Sequence, residues 1–445
     1  MLGRVFKLKE HGTSVGREIQ AGLTTFAAMA YILAVNPGIL EHAGMDKGAL
    51  VTVTALSAAA ATTLMALLTN YPLALAPGMG INAFFAFTIC LGFKVPWQQA
   101  LGMVFVNGAM FLALSVTGVR EKIIAAIPPS LKVAITCGIG LFIAFIGLRN
   151  GGVIVGDPVT YVTHGDFSSA PVALCLAGIG LTAILVARRV TGAIVIGIAV
   201  VTVAGLFVPA GGGAMVTATP AAIFSAPHSA APVFLKLSFD FLRSWTAFHH
   251  ALPIILTLLL VDMFDNIGTL IGVAKRAGYL DAQGRLPRAG RALVADSCAT
   301  LISALLGTST VVSYIESAAG VEAGGRTGLT SLTTAALMLL ALFFTPLLLI
   351  VPAVATAPAL VIVGVFMMQS IHEIDMTEFK QAVPAVLTII GIPLTFSIAA
   401  GIGLGLIGAA VLALGTGGAR KFPLYGYAIA AIFFLEFFHL FPFGQ

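Results

Sequence analysis

Charged residues are scarce in this sequence. Only 9% of its 445 residues are Asp, Glu, Lys or Arg, whereas soluble domains contain roughly 25%. So few charges cannot cover the surface of a soluble globule of this size, which excludes a water-soluble enzyme or binding domain. Hydrophobic residues make up 59% of the chain, enough for about 13 membrane-spanning helices of about 20 residues each. This composition predicts an all-α polytopic membrane protein.

Cysteine is also rare, and neither a metal-binding motif nor a P-loop is present. The four cysteines all lie in apolar stretches, where thiols act as small hydrophobes: Cys90, Cys137, Cys175 and Cys298. The adjacent pair His249 and His250 has no partner at metal-ligand spacing, so we expect no metal site. There is no P-loop, so we expect no ATP-driven transport by this chain.

Apolar runs predict about fourteen spans, seven on each side of a polar connection at 210–250. They lie at roughly 19–40, 49–69, 73–92, 97–119, 130–148, 170–187, 192–209, 251–273, 292–306, 308–323, 327–350, 356–371, 383–398 and 400–417. A last segment at 423–443 is either a further span or an interfacial helix. Because seven is odd, the second half runs opposite to the first, which predicts a 7+7 inverted repeat.

Basic residues support this count. With the N-terminus inside, 18 of the 23 Lys and Arg residues fall on the inner side, as the positive-inside rule requires. The sequence therefore predicts a multi-pass protein of the plasma (inner) membrane with a cytoplasmic N-terminus. The polar residues before the first span are expected to be a cytoplasmic lead-in and not a signal peptide. These cytoplasmic basic residues explain the net charge of +5, so the charge does not indicate a nucleic-acid partner.

Spans 3 and 10 are interrupted at the same place in each half. Span 3 contains YPLALAPGMGINAFFAF (71–87), where Pro77 and Gly78 break an apolar run. Span 10 contains LLGTSTVVSYIESAAGVEAGG (305–325), which changes from a β-branched segment to a helical one. Each is predicted to be a short extended segment that leads into a half-helix. Paired interruptions of this kind indicate a transporter binding site.

Three of the carboxylates inside predicted spans stand out, because an ionised acid at membrane depth costs several kcal/mol. Asp262 and Asp265 are three residues apart in span 8, and Glu316 is expected at the start of the span-10 half-helix, where free N–H groups stabilise an anion. We interpret them as a cluster that binds a polar solute and exchanges protons. The alternative is that one acid only caps a broken helix or faces water.

Three further residues are candidates for solute contact. Asn82 follows the break in span 3 and either pairs with a solute or caps the half-helix. Phe85 either packs in the core or stacks on a flat ring. Thr269 lies one turn after Asp265 and is expected to hydrogen-bond the solute or the backbone. Asp296 lies near a basic cluster, which favours a local ion pair.

Three long motifs resemble the nucleobase–cation symporter-2 (nucleobase:ascorbate transporter) family, specifically its AzgA-like branch of adenine, guanine and hypoxanthine permeases. The motifs are LALAPGMGINAFFAF, VDMFDNIGTLIGV and GTSTVVSYIESAAGVEAGGRTGLT. The resemblance implies fourteen helices in two domains that move against each other as an elevator. The core domain would comprise 1–119 and 251–353, and the gate domain 120–250 and 354–445. Family members often form homodimers, so a homodimer is a further expectation.

The resemblance also assigns roles. It implies substrate contacts for Asp265, Glu316 and Asn82, and proton coupling through Asp265 and Glu316, with Asp262 as a further candidate. Asp265 and Thr269 stand where uracil- and xanthine-type relatives usually have Glu and sometimes His. The shorter acid leaves more room, which is compatible with a purine and weakens a uracil assignment. The expected activity is proton-coupled symport of purine bases into the cytoplasm. No cofactor other than the proton is expected.

The sequence leaves four alternatives open. An anion carrier of the related sulfate-type architecture shares broken spans 3 and 10, but its site requires no acids. A xanthine or uracil permease belongs to the same family. An intramembrane aspartyl protease would need acids on facing helices, which the Asp262–Asp265 pair on one helix does not supply. A passive channel would conduct without a proton gradient. We therefore expect a transporter and not an enzyme.

Overall fold

The structure is a computed structural model that describes residues 2–117, 128–211, 214–279, 286–418 and 422–437. It is mostly helical. The α-helices are α1 Leu2–Val5, α2 Val15–Met29, α3 Ile32–Leu40, α4 Lys47–Thr69, α5 Met79–Ala83, α6 Trp97–Thr117, α7 Pro129–Asn150, α8 Ala170–Ala187, α9 Ala193–Gly205, α10 Trp245–Ala277, α11 Ala289–Leu306, α12 Ser317–Glu322, α13 Gly328–Ala341, α14 Thr345–Leu349, α15 Ala353–Met368, α16 Phe379–Thr395, α17 Ile398–Gly415 and α18 Leu424–Phe437. A π-helix, Phe84–Gly92, continues α5 directly.

Ten helices in the described ranges are long and apolar enough to cross a membrane. Four shorter apolar helices accompany them: Met79–Gly92, Ala193–Gly205, Phe379–Thr395 and Gly426–Leu435. Predicted span 10 differs from the rest, because its helix α12 has only six residues. The segment left open at 423–443 contains α18, which packs on α17; residues 438–445 lie outside the described ranges.

Six short strands form three antiparallel pairs, and one pair joins the two halves of the chain. The strands are β1 Leu75–Pro77, β2 Ile154–Asp157, β3 Tyr161–His164, β4 Pro209–Gly211, β5 Ala214–Met215 and β6 Val311–Ser313. Strands β1 and β6 pair in the register Leu75↔Ser313, and both are fully buried. The predicted extended segments in spans 3 and 10 are therefore present. Their pairing satisfies backbone groups that lipid could not.

The helices pack in two sets. In the first set, α11 packs on α4 and α6, and α13 packs on α2 and α4. In the second set, α15 packs on α7 and α8, and α16 packs on α7 and α17. Contacts between the sets are fewer and include α5 against α7 and α9 against α2. The strand pair β1–β6 belongs to the first set. Helix α5, which follows β1, contacts α7 of the second set.

Candidate functional site

The pairing of β1 with β6 sets the starting points of two short helices. Beyond the strands, the N–H of Gly78 donates to Thr310 O and the N–H of Tyr314 donates to Ala74 O, each at 2.9 Å. The hydroxyl of Tyr314 donates to Pro77 O at 2.6 Å. These bonds hold the two breaks side by side although more than 200 residues separate them, and because the strands are antiparallel, α5 and α12 leave the pair at opposite ends.

Glu316 occupies the N-cap position of α12, as the sequence predicts, but its side chain makes no capping hydrogen bond. Instead, the hydroxyl of Tyr31 donates to Glu316 Oε1 at 2.6 Å. Glu316 is half-buried and Tyr31 is buried. Stabilisation of this acid by the half-helix N-terminus stays a prediction, and the structure adds a hydrogen bond from a tyrosine of span 1. Sequence reasoning missed Tyr31, because no local pattern links residues 285 positions apart.

Asn82, the predicted solute contact in span 3, is fully buried in α5. Its Oδ1 accepts a short hydrogen bond from the hydroxyl of Ser309. Its Nδ2 has no hydrogen-bond partner among the described residues. A buried donor without a partner costs about 1–3 kcal/mol, and native structures rarely leave one without a water or ligand. Asn82 therefore has the capacity to donate to an acceptor that the chain itself does not provide.

Asp262 lies in a buried polar network between spans 4 and 8. Its Oδ2 accepts from Asn107 Nδ2 at 3.3 Å, and its Oδ1 accepts from Asn266 Nδ2 at 2.9 Å. All three side chains are fully buried. A buried carboxylate is tolerated where donors surround it, and the two amides supply them. Neither asparagine was predicted to have this role.

Asn266 is the centre of that network. Its Nδ2 also donates to Asp296 Oδ2 at 2.5 Å, and its Oδ1 accepts from the N–H of Ser313 at 2.9 Å. One amide side chain thus connects spans 8 and 9 to strand β6. The sequence favoured a local ion pair near the basic cluster for Asp296; the structure instead buries its carboxylate against Asn266.

The remaining predicted site residues lie on the same elements. Asp265 is in α10, three residues after Asp262, but its side chain lies outside the described part of the chain. Thr269 is buried one turn further along α10. Phe85 is fully buried in the π-helix and belongs to the main apolar cluster. Solute contact by Asp265, Thr269 and Phe85 stays a prediction.

Gly80 allows the start of α5 to lie directly against α7. A Cβ at this position would be 2.5 Å from Cγ2 of Ile139. Gly80→Ala is therefore expected to destabilise the protein by about 1–3 kcal/mol, because α5 must shift. The melting temperature in detergent measures the loss. Ile139→Ala removes the methyl group in contact but leaves a cavity that costs about 2–5 kcal/mol by itself, so the double variant should lose less than the sum of the two single losses. Gly38→Ala, with open space around its Cβ, is the neutral control. A loss in the double variant equal to that sum would contradict this account.

Comparison with known proteins assigns the family. A profile described as a permease family, that of xanthine and uracil permeases, matches residues 16–404. The chain belongs to this family. The resemblance to nucleobase:ascorbate transporters that the motifs of spans 3, 8 and 10 indicated is confirmed. The permease is therefore a multi-pass membrane transporter and not an enzyme.

Two similar proteins match nearly the whole chain. A guanine/hypoxanthine permease of Bacillus subtilis is 45% identical over 444 residues, covering 98% of this chain and 99% of the relative. An adenine permease of Escherichia coli is 42% identical over 437 residues, covering 98% and 96%.

Two solved structures share the fold of the permease. The transmembrane domain of a cyanobacterial bicarbonate transporter superposes with a TM-score of 0.63 at 17% identity, covering 86% of this chain and 96% of that chain. The murine anion transporter of solute carrier family 26, member A9, gives a TM-score of 0.64 at 13% identity, covering 90% and 68%. At these identities, the likeness concerns the fold alone.

Proposed function

We propose that this permease carries purine nucleobases, namely adenine, guanine or hypoxanthine, into the cytoplasm together with protons. The observation that carries the proposal is the similarity of 42–45% over nearly the whole chain to permeases named for adenine and for guanine/hypoxanthine. The residues at the two breaks have chemistry suited to such a solute.

A purine presents N–H donors and ring-nitrogen acceptors on its edges. Under the proposal, the carboxylates of Glu316 and Asp265 accept from the base donors, with Thr269 and Phe85 as further contacts. Asn82 supports this arrangement, because its Nδ2 is a buried donor without a partner in the described structure. A ring acceptor would satisfy that donor and recover the free energy of an unmade hydrogen bond.

Proton coupling follows from the cost of moving charge. An ionised carboxylate at membrane depth is expensive, so a carrier that moves its site is helped by protonating the acid first. We assign this step to Glu316 and Asp265, with Asp262 as a third candidate. Release of the proton on the cytoplasmic side then weakens binding of the base. The proton is the coupling ion, and no other cofactor is proposed.

The proposed architecture has fourteen spans in a 7+7 inverted repeat with a cytoplasmic N-terminus in the plasma membrane. The antiparallel pairing of β1 and β6 at matching positions of the two halves supports the repeat. We propose that spans 1–4 and 8–11 form a core domain that moves against a gate domain of spans 5–7 and 12–14. The two sets of closely packed helices, with fewer contacts between them, support this division.

Uptake of labelled hypoxanthine into vesicles containing the purified protein tests the proposal. An inward-directed proton gradient is imposed, and adenine, guanine, xanthine and uracil are added as competitors, with and without an uncoupler. The proposal expects competition by purines and loss of accumulation with the uncoupler. Uptake that is insensitive to the uncoupler would support the passive channel. Competition by uracil or xanthine alone would support the alternative permease specificity.

An anion carrier is the second candidate, because two structures of that fold are anion transporters. The acid Glu316 beside the breaks argues against it, since a carboxylate repels an anionic solute. Thermal stability of the purified protein with adenine, guanine, hypoxanthine or sulfate discriminates the two. Stabilisation by a purine is expected; stabilisation by sulfate alone would favour the anion carrier.

A further inference from the structure

Tyr31 lies where the helix of span 1 is interrupted. Helix α2 ends at Met29 and α3 begins at Ile32. At this junction, the N–H groups of Leu33 and Ala34 in the first turn of α3 donate to the carbonyls of the residues three positions earlier, at 3.1 Å each. This tighter turn places the buried phenol of Tyr31 so that its hydroxyl donates to Glu316 Oε1.

The short helix behind Glu316 rests on the same part of span 1. Helix α12 packs on α2, and a Cβ at Gly320 would lie 2.8 Å from the carbonyl oxygen of Ala21 and against the hydroxyl of Thr25. This close approach fixes the distance between α12 and span 1. Glu316 makes no side-chain capping bond to its own helix, and the hydroxyl of Tyr31 from span 1 contributes a hydrogen bond that orients its carboxylate.

We propose that Tyr31 is the positioning residue for Glu316. Its hydroxyl holds the Glu316 carboxylate in place for the base, and it favours the ionised form of that carboxylate until a proton binds. A hydroxyl that donates to a carboxylate stabilises the charged state, and such charge-assisted bonds are the stronger ones. Tyr31 thus determines the proton concentration at which Glu316 is neutralised. This inference rests on the proposed function, in which Glu316 binds base and proton.

Other titratable groups lie on the neighbouring elements. Span 8 carries Asp262 and Asp265, α2 carries Glu18, α12 carries Glu322, and Arg326 follows α12. A variant that removes only the Tyr31 hydroxyl leaves all of these groups in the protein. A difference from the wild type therefore reports the hydroxyl and not the general electrostatics of the site.

Tyr31→Phe tests the inference, because it removes the hydroxyl and keeps the buried ring. Uptake of labelled hypoxanthine is measured against external pH in vesicles. Wild-type uptake is expected to fall as pH rises and Glu316 loses its proton. Without the donor the acid keeps its proton to higher pH, so the fall should move about 1–2 pH units in the alkaline direction. The KM for the base should rise several-fold.

Two variants separate this role from simple packing. Tyr314→Phe removes a buried hydroxyl that donates to a backbone carbonyl, so uptake is expected to fall without a shift in the pH profile. Incorporation of 3-fluorotyrosine at position 31 makes the hydroxyl a stronger donor and should move the profile in the acidic direction. This variant also tests the inference by itself if Tyr31→Phe does not fold.

The outcomes are distinguishable. A profile that moves in opposite directions in the two Tyr31 variants supports the inference. Purine uptake by the wild type with an unshifted profile in both variants overturns the inference and leaves the proposed function standing. Absence of purine uptake by the folded wild type overturns the proposed function and the inference with it.

Discussion

Glu316→Gln is expected to lower purine uptake about 100-fold or more. The amide cannot ionise, so it provides neither a charged acceptor for the base nor a site for the coupled proton. Hydrogen bonds to a charged partner contribute about 1.5–3 kcal/mol, which corresponds to roughly 10- to 150-fold in affinity, and loss of proton coupling adds to this. Initial rates in vesicles, normalised to the amount of incorporated protein, measure the effect. Asp265→Asn is expected to behave in the same way.

Glu373→Gln is the matched control, because Glu373 is exposed in the 3₁₀ helix Gln369–Glu373 that follows α15. It should retain the uptake of the wild type. The melting temperature of each variant separates a functional loss from misfolding. Full proton-driven uptake by both Glu316→Gln and Asp265→Asn would refute the assignment of these acids.

Glu18→Gln is expected to destabilise the protein by about 2–4 kcal/mol. The carboxylate of Glu18 is fully buried and accepts from the N–H of Arg326 at 2.9 Å and from that of Thr327 at 3.1 Å. The hydroxyls of Thr327 and Thr330 donate to it at 2.8 and 2.7 Å. It thereby caps the N-terminus of α13 from another helix. An amide nitrogen in place of one oxygen faces donors and cannot accept from them.

Thermal denaturation of the purified protein in detergent, monitored by intrinsic fluorescence, measures this loss. The control is Glu10→Gln, because Glu10 is exposed and its ion pair with Lys7 at 3.1 Å is a surface pair. Such pairs contribute little, so the change should stay within about 0.5 kcal/mol. Similar melting temperatures for Glu18→Gln and the wild type would contradict a capping role.

Features that depend on local pattern were readable in the sequence. The Pro77–Gly78 break and the change from TSTVVSY to IESAAG predicted the extended segments, because proline lacks the N–H of the helical ladder and β-branched residues favour strands. Glu316 at the N-cap of α12 and Asn82 after the first break were likewise found from neighbouring residues alone. Membrane insertion followed from composition, since lipid excludes chains with many charges.

Partners that lie far apart in the chain were not readable. Nothing near Tyr31 indicates Glu316, and nothing near Glu18 indicates the N-terminus of α13. The same holds for Asn266. No local pattern indicates that its side chain links Asp262, Asp296 and β6.

By itself, the sequence determined that this protein is helical, lies in a membrane, is interrupted in two spans and belongs to the permeases. These properties follow from composition, short-range periodicity and motifs, which do not depend on tertiary packing. The tertiary structure alone decided which donors face each buried acid and which helix positions it. A hydrogen bond requires two groups within about 3 Å, and only the packing of distant segments brings them there.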